Sequence, residues 1–202
     1  FKGSSLIAAA LLLKELGSDK IVWGFDSFSG FPSYHNYDEL SQFENLYNNE
    51  HITKNHYECY LQNIEHKKLM NKQKISPSNI STSGDFSDTS KVLLEKKIAY
   101  LGLDNIQLID GDFKSTMQSS KMKNINFMAG LLDCDLYESH MIALPFVWDR
   151  MVKNGYMFLD EYYSLKFPGA RIAINDFFAN KINSPEMYPR KITDFERWFV
   201  TK

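Results

Sequence analysis

Four apolar runs of this sequence end in carboxylates: Asp26, Asp110 with Asp112, Asp133 with Asp135, and Asp160 with Glu161. In an open α/β sheet, ligands bind outside the carboxyl ends of the strands, so these acids are expected to face one crevice. One Asp after a strand is ordinarily a helix cap or a turn former. Four successive tips carrying acids favour a shared site over four separate caps. Asp133, Asp160 and Glu161 are hard oxygen donors on neighbouring runs, a set that suits Mg²⁺. Without a cation, three such carboxylates repel and at least one pKa rises. Asp135, two residues beyond Asp133, is placed to act as general base toward a substrate hydroxyl, or else to cap the helix that follows.

A second group of residues suits a nucleoside. Residues 1–5, Phe-Lys-Gly-Ser-Ser, form a glycine turn ahead of a helix, and Asp26 closes the next apolar run. A carboxylate at that place accepts from both hydroxyls of a ribose. The turn lacks the G-x-G-x-x-G pattern that seats a pyrophosphate, which counts against NAD or FAD. An adenosine cofactor without phosphate fits better, and S-adenosylmethionine is the common one. Asp112, between Gly111 and Phe113, is placed to accept from the adenine amine while Phe113 packs nearby. The expected cofactor contacts are therefore Gly3, Ser4, Asp26, Ser27, Gly111, Asp112 and Phe113.

The elements that must position these groups follow from patterning. Ser4 or Ser5 is expected to cap a helix running to about Leu16, with Gly17 ending it. Residues 20–25 read as a buried strand, 89–101 as a helix closed by Gly102, and 105–110 and 126–133 as further strands. A helix over 138–152 is expected to stop at Asn154-Gly155. A strand over 156–160, a helix from Pro168-Gly169 to about Asn180, and an edge strand at 197–202 complete the chain. Helices alternating with buried strands predict a doubly wound, mostly parallel α/β sheet of the Rossmann-like kind. A βαβ unit also needs a strand ahead of the glycine turn, so the sequence reads as lacking its first strand.

Residues 1–202 are read as one domain, because that length suits a single core. Within it, residues 34–83 turn polar, aromatic and Asn-rich and read as a helical insertion, the natural place for a lid. Tyr57, Tyr60 and Ile64 are expected to dock it onto the body. Apolar residues make up 44% and charged residues 24% with net charge −2, which excludes disordered and coiled-coil classes and a basic nucleic-acid surface. Lys67, Lys68, Lys72 and Lys74 are read as a solvated helix face, and His51, His56 and His66 as exposed helix residues without zinc spacing. The longest apolar run, residues 6–13, is too short to span a membrane. Two cysteines, Cys59 and Cys134, are too few for a disulfide framework and point to a reducing, cytoplasmic setting. Arg171 is expected either to face the crevice or to pair with a surface acid.

Taken in order, Phe1-Lys2-Gly3-Ser4-Ser5, Gly24-Phe25-Asp26-Ser27-Phe28-Ser29-Gly30-Phe31-Pro32, Gly84-Asp85-Phe86-Ser87-Asp88-Thr89, Leu132-Asp133-Cys134-Asp135-Leu136-Tyr137-Glu138-Ser139 and Leu159-Asp160-Glu161-Tyr162 resemble the macrocin O-methyltransferase (TylF-type) family of class I methyltransferases. The resemblance implies an O-methyltransferase dependent on S-adenosylmethionine and Mg²⁺, with sugar hydroxyls of natural products as acceptors. It implies metal ligation by Asp133, Asp160 and Glu161, a base at Asp135 and ribose binding by Asp26. This sequence departs from the family pattern at Cys134, usually Gly, at Glu161, commonly Asp, and at Asp112, often aromatic. The expected partner is a small hydroxylated acceptor, with no nucleic acid and no membrane, and the oligomeric state, a homo-oligomer included, is left open. Two alternatives stand beside this reading. Asp133-Cys134-Asp135 is also the D-x-D of a metal-dependent glycosyltransferase, and the insertion would serve a catalytically inactive binding domain.

Overall fold

The computed structural model describes residues 2–70, 73–119, 122–191 and 195–202. In chain order the elements are α1 (Ser4–Glu15), β1 (Val22–Asp26), α2 (Gln42–Asn48), α3 (Lys54–Met70), α4 (Lys91–Tyr100), β2 (Ile106–Asp110), α5 (Phe113–Thr116), β3 (Phe127–Leu132), α6 (Tyr137–Arg150), β4 (Met151–Leu159), α7 (Pro168–Phe178), β5 (Glu186–Met187) and β6 (Trp198–Thr201). They form two compact units, Phe1–Pro32 with Asp85–Ser120, and Ser33–Gly84 with Lys121–Lys202. Among the described residues, no helix is long and apolar enough to cross a membrane.

In the first unit β1 and β2 pair in parallel from Val22 opposite Ile106 to Asp26 opposite Asp110. Leu6 of α1 lies against Gly24, and Asn105 donates to Ala10 O at 2.9 Å, locking α1 along the strands. Neither Ser4 nor Ser5 caps α1; its cap position is Gly3, in the left-handed region with φ 81°. A Cβ there would run into the Leu94 side chain of α4, so the site needs glycine for its backbone and for its space. Gly17 ends the helix as expected, with Gly17 N bonded to Lys14 O and Ser18 N to Leu13 O. The later helix starts at Lys91 rather than at 89, because Ser90 takes the cap and accepts from Leu93 N.

The second unit carries a four-stranded sheet in the order β3-β4-β6-β5. β3 and β4 are parallel, while β6 runs antiparallel to both β4 and β5. The C-terminal strand is therefore internal and not an edge, since Glu186–Met187 covers its outer side. Asn154-Gly155 does not stop α6, which already ends at Arg150 and leads straight into β4. Instead the pair sits in a bulge: the register jumps from Phe127 opposite Met151 to Ala129 opposite Tyr156. Asn154, with φ 63°, donates to Lys202 O at 2.7 Å and ties the bulge to the end of β6. Helix α6 buries His140, Ala143, Leu144, Phe146, Val147 and Trp148. Its Val147 reaches Gly130 of β3 so closely that a Cβ at Gly130 would meet it at 2.9 Å.

Within residues 34–83 the helical elements are the short turn Asn36–Asp38, α2 and α3, and they dock through an aromatic cluster. Phe43, Leu46, Ile52 and Tyr60 are buried together, with Tyr57, Ile64, Leu165 and Ile172 packed against them. The rings of Phe43 and Tyr60 stack at 4.0 Å. Burial of such rings contributes roughly 2 kcal/mol each, enough to hold two helices without a strand between them. Lys68 and Lys74 are exposed and Lys67 is half-buried, while Lys72 lies outside the described residues.

Candidate functional site

In the first unit the strand tips gather the nucleoside-type residues at one end. The parallel register sets Asp26 beside Asp110, and Gly111 N donates to Asp26 O at 3.0 Å. Phe28 N donates to Asp26 Oδ1 at 2.8 Å, which fixes the carboxylate's direction. Ser27 Oγ donates to Gly30 O at 3.1 Å and closes the loop after the strand. Asp112 caps the short α5 by accepting from Lys114 N at 2.7 Å, and Phe113 beside it is half-buried. Helix α1 runs back along β1, so Gly3 and Ser4 lie toward the same end as Asp26. Phe1, the first residue of the glycine turn, lies outside the described residues.

In the second unit the last paired residues of β3 and β4 are Leu132 and Leu159. Asp133 and Asp160 are consequently the next residues beyond two adjacent parallel strands, and Cys134, Asp135 and Glu161 follow. The chain turns sharply at Asp135, whose φ is 58°; Leu136 N donates back to Cys134 O at 2.6 Å around it. A left-handed non-glycine residue of this kind is strained and persists where its surroundings impose it. Asp135 is no cap for α6: the cap position is Leu136, without a capping side chain.

Asp135 and Glu161 are both buried. Burial pushes the Asp135 carboxyl well above the usual carboxylate range, helped by the charges of Glu161 and Asp133, and it shares a hydrogen bond with Glu161. Glu161 is also raised, by burial first and by Asp160 and Asp133 besides, against the opposing Ser164 hydroxyl and Lys166. Asp160 is raised by burial and by Asp133, with Arg197 and Lys166 opposing. The donor set is thus chemically that of a hard divalent cation. Among the described residues, however, no group of three His, Cys, Asp or Glu is found that could hold an ion. Of the expected trio Asp133, Asp160 and Glu161, Glu161 shares a hydrogen bond with Asp135 and accepts from the Ser164 hydroxyl.

Behind the acids lies His140, fully buried on α6. Its Nδ1 hydrogen goes to Leu136 O at 3.0 Å, with Cys134 Sγ at 3.5 Å, and Nε2 has no hydrogen-bond partner among the described residues. Burial pushes its pKa down to about 4, so the ring is neutral. The Cys134 thiol is pushed up by burial and by Asp135, Asp133 and Glu161.

A family model for macrocin O-methyltransferase (TylF) matches residues 80–188, more than half of the chain. The chain belongs to that family. Among solved structures it is similar to the O-methyltransferase NovP, at 16% identity and TM-score 0.60, over 96% of this chain and 65% of that one. It is similar also to CalS11, a calicheamicin methyltransferase, at 16% identity and TM-score 0.62, over 95% and 65%. The apo form of CalS11, described as a TDP-rhamnose 3'-O-methyltransferase, matches at 17% identity and TM-score 0.52, over 97% and 66%. These likenesses establish the Rossmann-like α/β fold of class I methyltransferases. The chain spans about two thirds of the length of these structures. No curated protein sequence matches it.

In this member of the TylF family three residues tie the insertion to the acids, and none was singled out as a site residue. His56 is buried rather than exposed, because its Nε2 bonds Ser164 O at 2.7 Å. The Ser164 hydroxyl in turn bonds Glu161. Asp38 is fully buried and accepts from the backbone of His35 and of Tyr137. Its sequence signal is the capping-box spacing of His35 and Asp38, which shows the local bond and not the distant one. Arg171 takes neither expected role: it donates to Tyr162 O at 2.8 Å and His51 O at 2.6 Å and lies 3.7 Å over the Tyr162 ring.

Proposed function

We propose that this protein transfers the methyl group of S-adenosylmethionine to a hydroxyl of a sugar-containing small molecule. The observation that carries the reading is the buried Asp135. It sits on a strained turn beyond β3 with its carboxyl raised, beside the acids that end β4. A carboxylate of raised pKa suits a general base working near neutrality, and family membership points to methyl transfer. The description of CalS11 as acting on a nucleotide-linked rhamnose supports a sugar acceptor.

In this scheme Asp26 holds the ribose hydroxyls, with Gly3, Ser4, Ser27, Gly111, Asp112 and Phe113 lining the nucleoside. S-adenosylmethionine supplies the methyl group. Asp135 accepts the proton of the acceptor hydroxyl, and the buried surroundings keep that proton from exchanging with bulk water. Asp133, Asp160 and Glu161, hard oxygen donors at and beyond two adjacent strand tips, would hold Mg²⁺. A bound magnesium ion supplies positive charge that acidifies a hydroxyl. Most of the rate then comes from orientation of the two reactants. The two thiols, Cys59 and Cys134, suit the cytoplasm as the place of work.

The test is release of labelled methyl from S-adenosylmethionine onto a panel of nucleotide-linked hexoses and glycosides, with Mg²⁺ or with a chelator. Asp135→Asn is expected to lower turnover by 10²-fold or more, on the order of a general base's contribution. Asp133→Asn is expected to abolish metal dependence and activity together. Undiminished turnover by Asp135→Asn would remove the base from the scheme. Binding of a nucleoside diphosphate sugar without S-adenosylhomocysteine would favour the glycosyltransferase alternative.

A further inference from the structure

We infer that Asp38 is a positioning residue that clasps the insertion to the start of α6, with α7 packed against the same carboxylate, and holds Asp135 in its strained turn. The inference rests on the methyl-transfer reading for its catalytic meaning, and on geometry for its existence. Asp38 ends a short 3₁₀ turn, Asn36–Asp38, in the insertion, and none of it is exposed. One carboxylate oxygen, Oδ2, accepts from His35 N at 2.8 Å within the insertion. The other, Oδ1, accepts at 2.8 Å from Tyr137 N, 99 residues away. Tyr137 N is the first amide of α6, one of those a helix leaves without an internal partner, and Leu136 brings no side chain to cap it. Asp38 is therefore the missing cap of α6, supplied from another element.

The second helix meets the same carboxylate. Helix α7, which follows Asp160 and Glu161, begins Pro168-Gly169, and a Cβ on Gly169 would collide with Asp38 Oδ1. The first turns of α6 and α7 both approach Asp38, and their dipoles favour a negative charge there. The rings of His35 and Tyr137 stack at 4.8 Å beside this junction.

The consequence for Asp135 follows from consecutive amides. Leu136 N bonds back to Cys134 O around Asp135, and the next amide, Tyr137 N, bonds to Asp38. A left-handed Asp costs roughly 1–2 kcal/mol and needs surroundings that impose it. The local bond closes the turn at Asp135, and Leu136 O is held within α6 by the His140 amide and ring, but neither bond reaches the insertion. The Asp38 bond to Tyr137 N is what fixes the turn to the insertion.

The experiment is amide hydrogen exchange at His35, Tyr137 and Val200 in wild type, Asp38→Ala, Asp38→Asn, Gly169→Ala and the Asp38→Ala, Gly169→Ala double variant, with alkylation of Cys134 as a second readout. Asp38→Ala is expected to speed Tyr137 exchange and Cys134 alkylation roughly tenfold, the scale of a lost cap, while Val200 in β6 is unchanged. Asp38→Asn restores Tyr137 protection through its carbonyl oxygen and leaves His35 unprotected, because its amide nitrogen, in place of Oδ2, cannot accept. Gly169→Ala should stabilise α7 on helix propensity, yet it is expected to mimic Asp38→Ala by displacing the carboxylate. The double variant should be no worse than Asp38→Ala, since the new methyl then has space. Unchanged Tyr137 exchange in both Asp38→Ala and Gly169→Ala, or additive effects in the double variant, would overturn the clasp. Exchange needs no cofactor, so failure of the wild type to bind S-adenosylhomocysteine overturns the methyl-transfer reading alone.

Discussion

Replacing His140 by Asn should change how stability depends on pH. His140 is fully buried, and its pKa falls from 6.5 to about 4 because burial disfavours the charged ring. In the unfolded chain the ring titrates near 6.5, so between pH 6.5 and 4 the unfolded state binds more protons than the fold. Stability from this group is complete above pH 6.5 and is lost as pH falls through that window. Linkage puts the loss at about 2 kcal/mol at pH 5 relative to pH 7.5, and about 3 kcal/mol once both states are protonated. Asp38, Asp135, Asp160 and Glu161 are all raised in the fold, so each favours the fold more as pH falls, opposing the histidine. Both proteins share these acids, and their contribution cancels in the comparison. Asn keeps a donor for Leu136 O and does not titrate. Urea unfolding at pH 7.5 and 5 should therefore show the wild-type midpoint falling by about 1 M more than that of His140→Asn, taking a slope near 2 kcal/mol/M. Midpoints that move in parallel would refute a neutral, buried His140.

Gly3→Ala should lower stability by about 2 kcal/mol or more, because the site has φ 81° and the new methyl meets Leu94; a thermal melt equal to wild type would contradict this. The Cys134 thiol, held neutral by burial and three carboxylates, should react with iodoacetamide at least about tenfold more slowly than a free peptide thiol at pH 8. Peptide mass spectrometry reads that rate, and labelling as fast as the peptide would refute it.

The strand tips were legible in the sequence because each is a short apolar run that stops at an acid, a pattern that period and composition both report. Asp133 and Asp160 needed only that pattern to be placed on neighbouring tips. Helix starts were less legible: Gly3 precedes α1 where Ser4 or Ser5 was the expected cap, since Leu94, distant in sequence, decides what fits there. The order of β6 and β5 depends on which backbone pairs outside which, and no residue of Arg197-Trp198-Phe199-Val200 encodes that. Asn154-Gly155 reads as a stop in any local window, yet the carbonyl of Lys202 makes it a bulge. Asp38 was invisible for the same reason, because the amide it caps lies 99 residues away. What the sequence pattern conveys is local chemistry; which buried polar group meets which is settled by tertiary packing.

Calorimetric titration of S-adenosylhomocysteine into the protein, beside an Asp26→Ala variant, tests the central claim most directly. Saturable binding to the wild type, lost or weakened at least about tenfold in the folded variant, is the predicted result, as expected when a charge-assisted hydrogen-bond acceptor for the ribose is removed. No binding to a folded wild-type protein, or equal binding to both, would contradict it.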